Sequence, residues 1–349
     1  MSELRFAVFG TGFWSRYQLA AWQQLPGVRC VAAYNRTRSR AEVIAHEFGI
    51  PIVYDDAEEL VRNEQLDFID IITDVDSHSR FVKLAADHHL DVICQKPMAS
   101  SLASAEEMVK VCRDAGVAFY IHENWRWQTP IMRIKQLLAE GHIGQPFRAH
   151  ISMVSGFPVF DNQPFLKELG QFILTDMGSH VLDTARSMFG EADSLYCQTH
   201  KVHQDIKGED VASVMLMMRH DHHASPVTVL VEMGYAGTPL EHERFPETSI
   251  FVEGDQGSLA LEPDYWIRLT TKGGTQIKRY PPPRYAWADP AYDVVHSSIL
   301  PCNQNLLGAL RKMANAETAA EDNIKTVRLV FAAYDSARHN QVITLTPEV

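Results

Sequence analysis

Asp176, His180 and Asp183 stand at i, i+4 and i+7 within residues 172–189, a proline-free run that is mostly apolar. That spacing places the three on one face of a helix. A helix apolar over most of its circumference is buried. Two carboxylates and an imidazole on it need partners or line a site. An imidazole titrates near neutral pH, which suits His180 to general-base work. Asp176, one turn earlier, would bond a substrate or orient the base, and Asp183 reads as support for the histidine or a neighbouring backbone group. The same face would also permit a metal, but a second cationic group elsewhere favours acid–base chemistry, and no metal is expected. That group is Lys96 in Gln95-Lys96-Pro97, where a short apolar strand ends and Pro97 turns the backbone. Ligands of open α/β sheets bind at the carboxyl ends of strands.

A third constellation opens the chain. Residues 5–9 read as a strand, followed by Gly10-Thr11-Gly12-Phe13-Trp14-Ser15 and a helix over 16–25. Gly10-x-Gly12-x-x-Ser15 is the dinucleotide fingerprint with its third glycine replaced. Gly10 allows the tight turn, and Gly12 lets the backbone approach a pyrophosphate at a helix N-terminus. The strand over 28–34 should end in a ribose-binding acid, yet Asn35 stands there, followed by Arg36, Arg38 and Arg40. Asn35 and Arg36 suit the 2′-phosphate of NADP, although Asn35 can also bond the plain ribose of NAD, and Thr37 or Ser39 can simply cap the next helix. NAD or NADP is therefore the expected cofactor.

The elements that must carry these residues alternate at first. Helices over 38–48, 56–63, 77–89 and 103–114 intervene between short strands over 28–34, 68–73, 92–94 and 117–121. This is the pattern of a doubly wound parallel sheet. Beyond residue 122 the runs lengthen and alternate: 147–154, 194–202, 211–218, 227–233, 249–253, 258–262, 266–271 and 276–280. A largely antiparallel sheet is expected there, with helices over 130–140, 172–189, 292–313 and 323–339 and a last strand over 342–345. The fold class is α/β: an N-terminal Rossmann domain over 1–122 and a C-terminal α/β domain with a large open, mostly antiparallel sheet over 123–349.

The chain has 349 residues and a formal net charge of −12, which disfavours a nucleic-acid partner. No apolar run is long enough for a membrane span. Five scattered cysteines without a C-x-x-C pair fit a reduced, cytoplasmic protein. His88, His89, His220, His222 and His223 lie in helix-end or polar-turn contexts and read as solvated.

Taken in order, these motifs resemble the Gfo/Idh/MocA oxidoreductase family. Gln95-Lys96-Pro97 is similar to its Glu-Lys-Pro motif. Glu123-Asn124-Trp125-Arg126 resembles the stretch that opens its second domain, and Asp176-x-Gly178-x-His180-x-x-Asp183 matches its Asp-x-Gly-x-His-x-x-Asp motif. There are two departures: Gln95 replaces the glutamate, and Thr73-Asp74-Val75-Asp76 stands where many members have a Thr-Pro-Asn turn. The resemblance implies a cofactor site drawn from Gly10, Thr11, Gly12, Phe13, Trp14, Asn35, Arg36, Thr73, His78, Gln95, Lys96 and Pro97, with His78 equally able to cap its helix. It implies catalysis by Lys96, His180 and Asp176, and substrate binding by those three with Asn124 and Arg126. For Trp125 and Trp127, core packing is the better reading. The implied activity is NAD(P)-dependent dehydrogenation of a sugar, an aldose oxidised at C1 to its lactone, of the pentose or branched-pentose (apiose) kind. An inositol or ring-hydroxyl dehydrogenase is the alternative, and a non-catalytic, sugar-responsive regulator the alternative of another class. The open sheet implies a homodimer or homotetramer.

Overall fold

The computed structural model describes residues 3–219, 225–237, 241–243 and 245–345; His220, His222 and His223 lie outside them. Two compact units emerge. The first holds residues 1–124, 285–289 and 296–327, and the second holds residues 125–284, 290–295 and 328–349.

In the first unit, β1 (Leu4–Phe9), β2 (Val28–Tyr34), β3 (Ile52–Tyr54), β4 (Phe68–Ile71), β5 (Asp91–Gln95) and β6 (Phe119–His122) form one sheet in the order β3-β2-β1-β4-β5-β6. Every pair is parallel. Helices α1 (Phe13–Trp22), α2 (Arg38–Phe48), α3 (Ala57–Asn63), α4 (Val75–Asp87) and α5 (Leu102–Ala115) make the crossovers. Their ends follow local chemistry. Asp56 accepts from the Glu59 amide to cap α3, and Ser101 accepts from the Ser104 amide to cap α5. Gly49 and Gly116 close α2 and α5 in the left-handed region. The short β3 was not expected from sequence. It sits at the sheet's edge against β2, and three residues carry too little alternation to be seen.

The break between the units falls at Asn124, and residues 285–289 and 296–327 group with the first unit. The reason is β6. The Ile121 amide donates to the Thr318 carbonyl, the Thr318 hydroxyl donates to the Ile121 carbonyl at 2.7 Å, and Tyr120 bridges to Ala319. A late segment thus covers the sheet's last strand.

In the second unit, α6 (Thr129–Ala139) precedes β7 (Pro146–Val154), and α7 (Val159–Asn162) precedes α8 (Ser179–Phe189). Then come β8 (Glu191–His200), β9 (Val211–Arg219), β10 (Val227–Gly234), β11 (Ser249–Gly254), β12 (Gly257–Glu262), β13 (Trp266–Thr271), β14 (Gly274–Arg279) and, near the C-terminus, β15 (Ile343–Thr344). These nine strands run β14-β13-β12-β11-β7-β10-β9-β8-β15. Among the described residues of this sheet, only β7 and β10 pair in parallel. Period-two alternation buries Ala149, Ile151 and Met153 of β7 and Val229, Val231 and Met233 of β10, and α8 packs over these strands. Each of the valine, isoleucine and methionine side chains contributes about 1.5–3 kcal/mol of burial. The late helices are α9 (Asp293–Leu310) and α10 (Ala320–His339). No helix among the described residues is long and apolar enough to cross a membrane. All five cysteines are free, and all but Cys30 are buried.

Candidate active site

The first unit gathers its candidate residues where β1, β2, β4 and β5 end. Gly10 has φ of +93°, and a Cβ there would meet the Ile72 carbonyl oxygen at 2.5 Å and the Thr73 methyl at 2.9 Å. Only glycine fits, because the turn after β1 lies against the turn after β4. Gly12, by contrast, faces open space and is the N-cap of α1, which begins at Phe13 and not at residue 16. No side chain caps this helix start. Ser15 is buried and donates to the Gly12 carbonyl at 2.7 Å, so the replaced third glycine carries a hydroxyl that closes the turn from within. A bare backbone cradle at the start of an uncapped helix, with room before it, fits a dinucleotide pyrophosphate.

Several expected cofactor contacts are placed more locally than the sequence suggested. The Asn35 amide donates to the Thr11 hydroxyl at 2.8 Å and accepts from the Thr37 amide at 2.9 Å, tying the glycine turn to the start of α2. Arg36 is exposed beside it, and Phe13 is 67% exposed. Trp14 is half-buried near His296, which stacks on Tyr17 at 3.7 Å. His78 does not cap α4, which starts at Val75. Its ring nitrogens lie 3.2 Å from the Met98 and Thr73 carbonyls, and burial holds it below the usual imidazole range. It staples the Thr73 turn to the loop after Pro97.

Lys96 is partly exposed at the end of β5. Gln95, expected beside the cofactor or the lysine ammonium, turns inward instead. It donates to Gln18 at 2.8 Å and to His122 at 3.1 Å and accepts from the Lys96 amide at 3.1 Å. Gln18 in turn donates to both oxygens of Asp70, which also accepts from Trp22 at 2.8 Å. Asp70 is fully buried, and burial raises its carboxyl to about 7 against the pull of the Trp22 and Gln18 bonds. Asn124 donates to Ser298 at 2.7 Å, and both are buried.

The second unit holds the histidine. The run over 172–189 is not one regular α-helix: Leu174–Gly178 is a π-helical turn, and α8 continues from Ser179. Such turns recur at functional sites because one added residue re-aims a side chain. Here a Cβ on Gly178 would meet the Met233 sulfur at 3.4 Å, so the turn lies close on β10. Glu209 anchors its start, accepting from the Phe172 and Leu174 amides and from Tyr334 at 2.6 Å. His180 is 5% exposed and stacks on Trp125, with ring centroids 4.5 Å apart. Trp125 is itself fixed by a 2.9 Å bond to Thr248. Asp176 remains half-exposed. Tyr235 is buried, and burial first, then the Asp176 charge, pushes its phenol well above the usual range.

Asp183, expected as support for the histidine, is engaged by an arginine. It is fully buried and accepts two 2.7 Å bonds from Arg126, one from Nε and one from Nη2. The bidentate fit draws it there. Arg126, expected on substrate, thus joins the turn carrying Trp125 to α8. Among the described residues no three His, Cys, Asp or Glu side chains converge to hold a metal ion. Sequence reasoning missed Asp70, Gln18, Glu209 and Thr248. Only Asp70 gave a signal, a lone charge inside an apolar strand.

Comparison with known proteins agrees with this geometry. Residues 4–123 match the family described as "Oxidoreductase family, NAD-binding Rossmann fold", and residues 131–260 match the GFO/IDH/MocA C-terminal domain. The chain is 39% identical to a D-apiose dehydrogenase of Rhizobium rhizogenes, over 99% of this chain and 98% of that one. It is also 39% identical to a D-apiose dehydrogenase of Paraburkholderia graminis, over 99% and 90%. Among solved structures it resembles an oxidoreductase from Agrobacterium radiobacter in complex with NAD+, L-tartaric acid and magnesium, with a TM-score of 0.94, 38% identity and 98% of each chain covered. The glycine cradle after β1, the Gln-Lys-Pro turn after β5 and the histidine on α8 belong to an NAD(P)-dependent oxidoreductase of the Gfo/Idh/MocA family.

Proposed function

We propose that this protein oxidises an aldose of the pentose or branched-pentose kind, D-apiose first among them, at C1 to its lactone. The single observation carrying this reading is the 39% identity to D-apiose dehydrogenases along 99% of the chain. The nicotinamide cofactor, when bound, accepts the hydride from C1. The protein must take the hydroxyl proton and steady the oxygen it leaves. His180, its ring set by Trp125, takes the proton. Lys96 donates to the reacting oxygen and stabilises the developing negative charge, and Asp176 holds a neighbouring hydroxyl. Arg126 and Asn124 act by fixing the surrounding elements. Asn35 and the exposed Arg36 make NADP acceptable as well as NAD.

The protein works as an oligomer of identical chains. On the outer face of the nine-stranded sheet, Met215 and Met217 of β9, Leu230 of β10 and Phe251 of β11 are between 37% and 51% exposed, with His150 of β7 between Leu230 and Phe251, a partly apolar face suited to a second copy. Five free thiols suit a reducing cytoplasm. The test is NAD(P)H absorbance across a panel of aldoses, inositols and polyols. Turnover with D-apiose, lost in Lys96→Ala with cofactor affinity kept, is expected. Tight cofactor binding without turnover on any of them would replace the enzyme with a sugar-responsive regulator.

A further inference from the structure

The buried polar chain behind Lys96 has a direction. Asp70, when ionised, can only accept, and it takes the Gln18 amide N–H across both its oxygens and one hydrogen from Trp22. Gln18 must then turn its carbonyl oxygen toward Gln95. Gln95 answers with its amide nitrogen, which also reaches Nδ1 of His122. That fixes Nε2 of His122 as the protonated nitrogen, donating to Asn303 at 2.9 Å. The remaining atom of Gln95, its oxygen, is left to accept from the Lys96 amide. Each amide orientation is set by the one before it.

We propose that Asp70 and Gln18 are positioning residues that set the Gln95 amide, and through it the backbone of Lys96, for the hydride-transfer reaction. The proposal rests on the role assigned to Lys96 above. It also accounts for glutamine at 95: a carboxylate there would set acceptor against acceptor across 2.8 Å at Gln18, a few ångströms from a second carboxylate. Amide and acid at 95 and 70 are therefore one linked choice. In the Asp70→Asn variant the Gln18 amide is free to turn. It can then accept from the new amide at position 70 while donating to a glutamate at 95, and His122 and Asn303 reverse with it.

The experiment compares Asp70→Asn, Gln95→Glu and the double variant, with Gln95→Met and Lys96→Ala beside them, using D-apiose and NAD+. Each single substitution at 70 or 95 is expected to lower kcat by about tenfold or more, the scale of misplacing a catalytic group. KM for sugar and Kd for NADH should stay within about threefold. The double variant should regain about tenfold over Gln95→Glu, a coupling that simple loss of packing does not produce. Gln95→Met, which adds no charge, should also lose kcat, and Asp70→Asn should not rescue it; this pair keeps the test open if Asp70→Asn alone folds poorly. Wild-type kcat in Gln95→Met, or a double variant no better than Gln95→Glu, would overturn the proposal. Full turnover in Lys96→Ala would instead overturn the role of the lysine.

Discussion

Asp183→Ala tests how the histidine is held. In the native protein the carboxylate is fully buried, and Arg126, only 6% exposed, meets it through two 2.7 Å bonds. Removing the acid leaves a guanidinium in the interior without that carboxylate. Breaking such a pair costs about 3–5 kcal/mol, more than the intact pair contributes over an apolar replacement. At about 2–4 °C per kcal/mol for a unit of this size, unfolding should shift down by about 6–20 °C. Arg126 lies beside Trp125, whose ring stacks on His180, so turnover should fall along with stability. Scanning calorimetry and NADH production measure the two together. The double substitution Arg126→Met, Asp183→Leu should recover most of the stability, because neither buried charge remains. A melting point for Asp183→Ala within about 2 °C of wild type would refute the reasoning, since no buried pair of this geometry can be dispensed with so cheaply.

Gly10→Ala should weaken NADH binding by about tenfold or more, read by fluorescence titration, because its Cβ would meet the Ile72 carbonyl at 2.5 Å; unchanged affinity would remove the turn from the cofactor site. His180→Asn should flatten the rise of oxidation rate with pH, and a stopped-flow profile matching wild type would place the base elsewhere. Asp70, surrounded by Gln18, Trp22 and the Cys30 and Cys94 thiols, is raised from 3.8 to about 7 on folding. The folded protein binds the extra proton between those values, so stability should fall as pH rises from about 4 to about 7, by about 4 kcal/mol in all. Asp70→Asn should remove that slope in urea titrations, and an equal slope in wild type and variant would mean that another group titrates.

The alternation of short apolar strands with helices makes the first sheet readable, and the glycine spacing marks the turn after β1 as the candidate cofactor cradle. Lys96 is a candidate in the sequence because it ends a strand before a proline and a dinucleotide turn lies on the same sheet edge. What hid was non-local. Gln95 reads as a substituted glutamate, yet its meaning depends on Gln18, 77 positions earlier, and on His122. Asp183 was legible as structural, but nothing in its spacing names Arg126, 57 positions away. The π turn at 174–178 escapes because residue periodicity over five positions does not separate i→i+5 from i→i+4 bonding.

The return of residues 296–327 to the first unit has a consequence for how the chain is made. Five of the six parallel strands and the glycine turn are complete before residue 100 leaves the ribosome. Yet the partner of β6, at Thr318 and Ala319, emerges some two hundred residues later. Until then His122 lacks Asn303, and the last strand presents an unpaired edge that invites other chains. Most of the second unit is thus synthesised before the first is finished, and its own last residues, 328–349, follow. A chain truncated before residue 296 keeps the whole cofactor fingerprint and should nonetheless accumulate as aggregate.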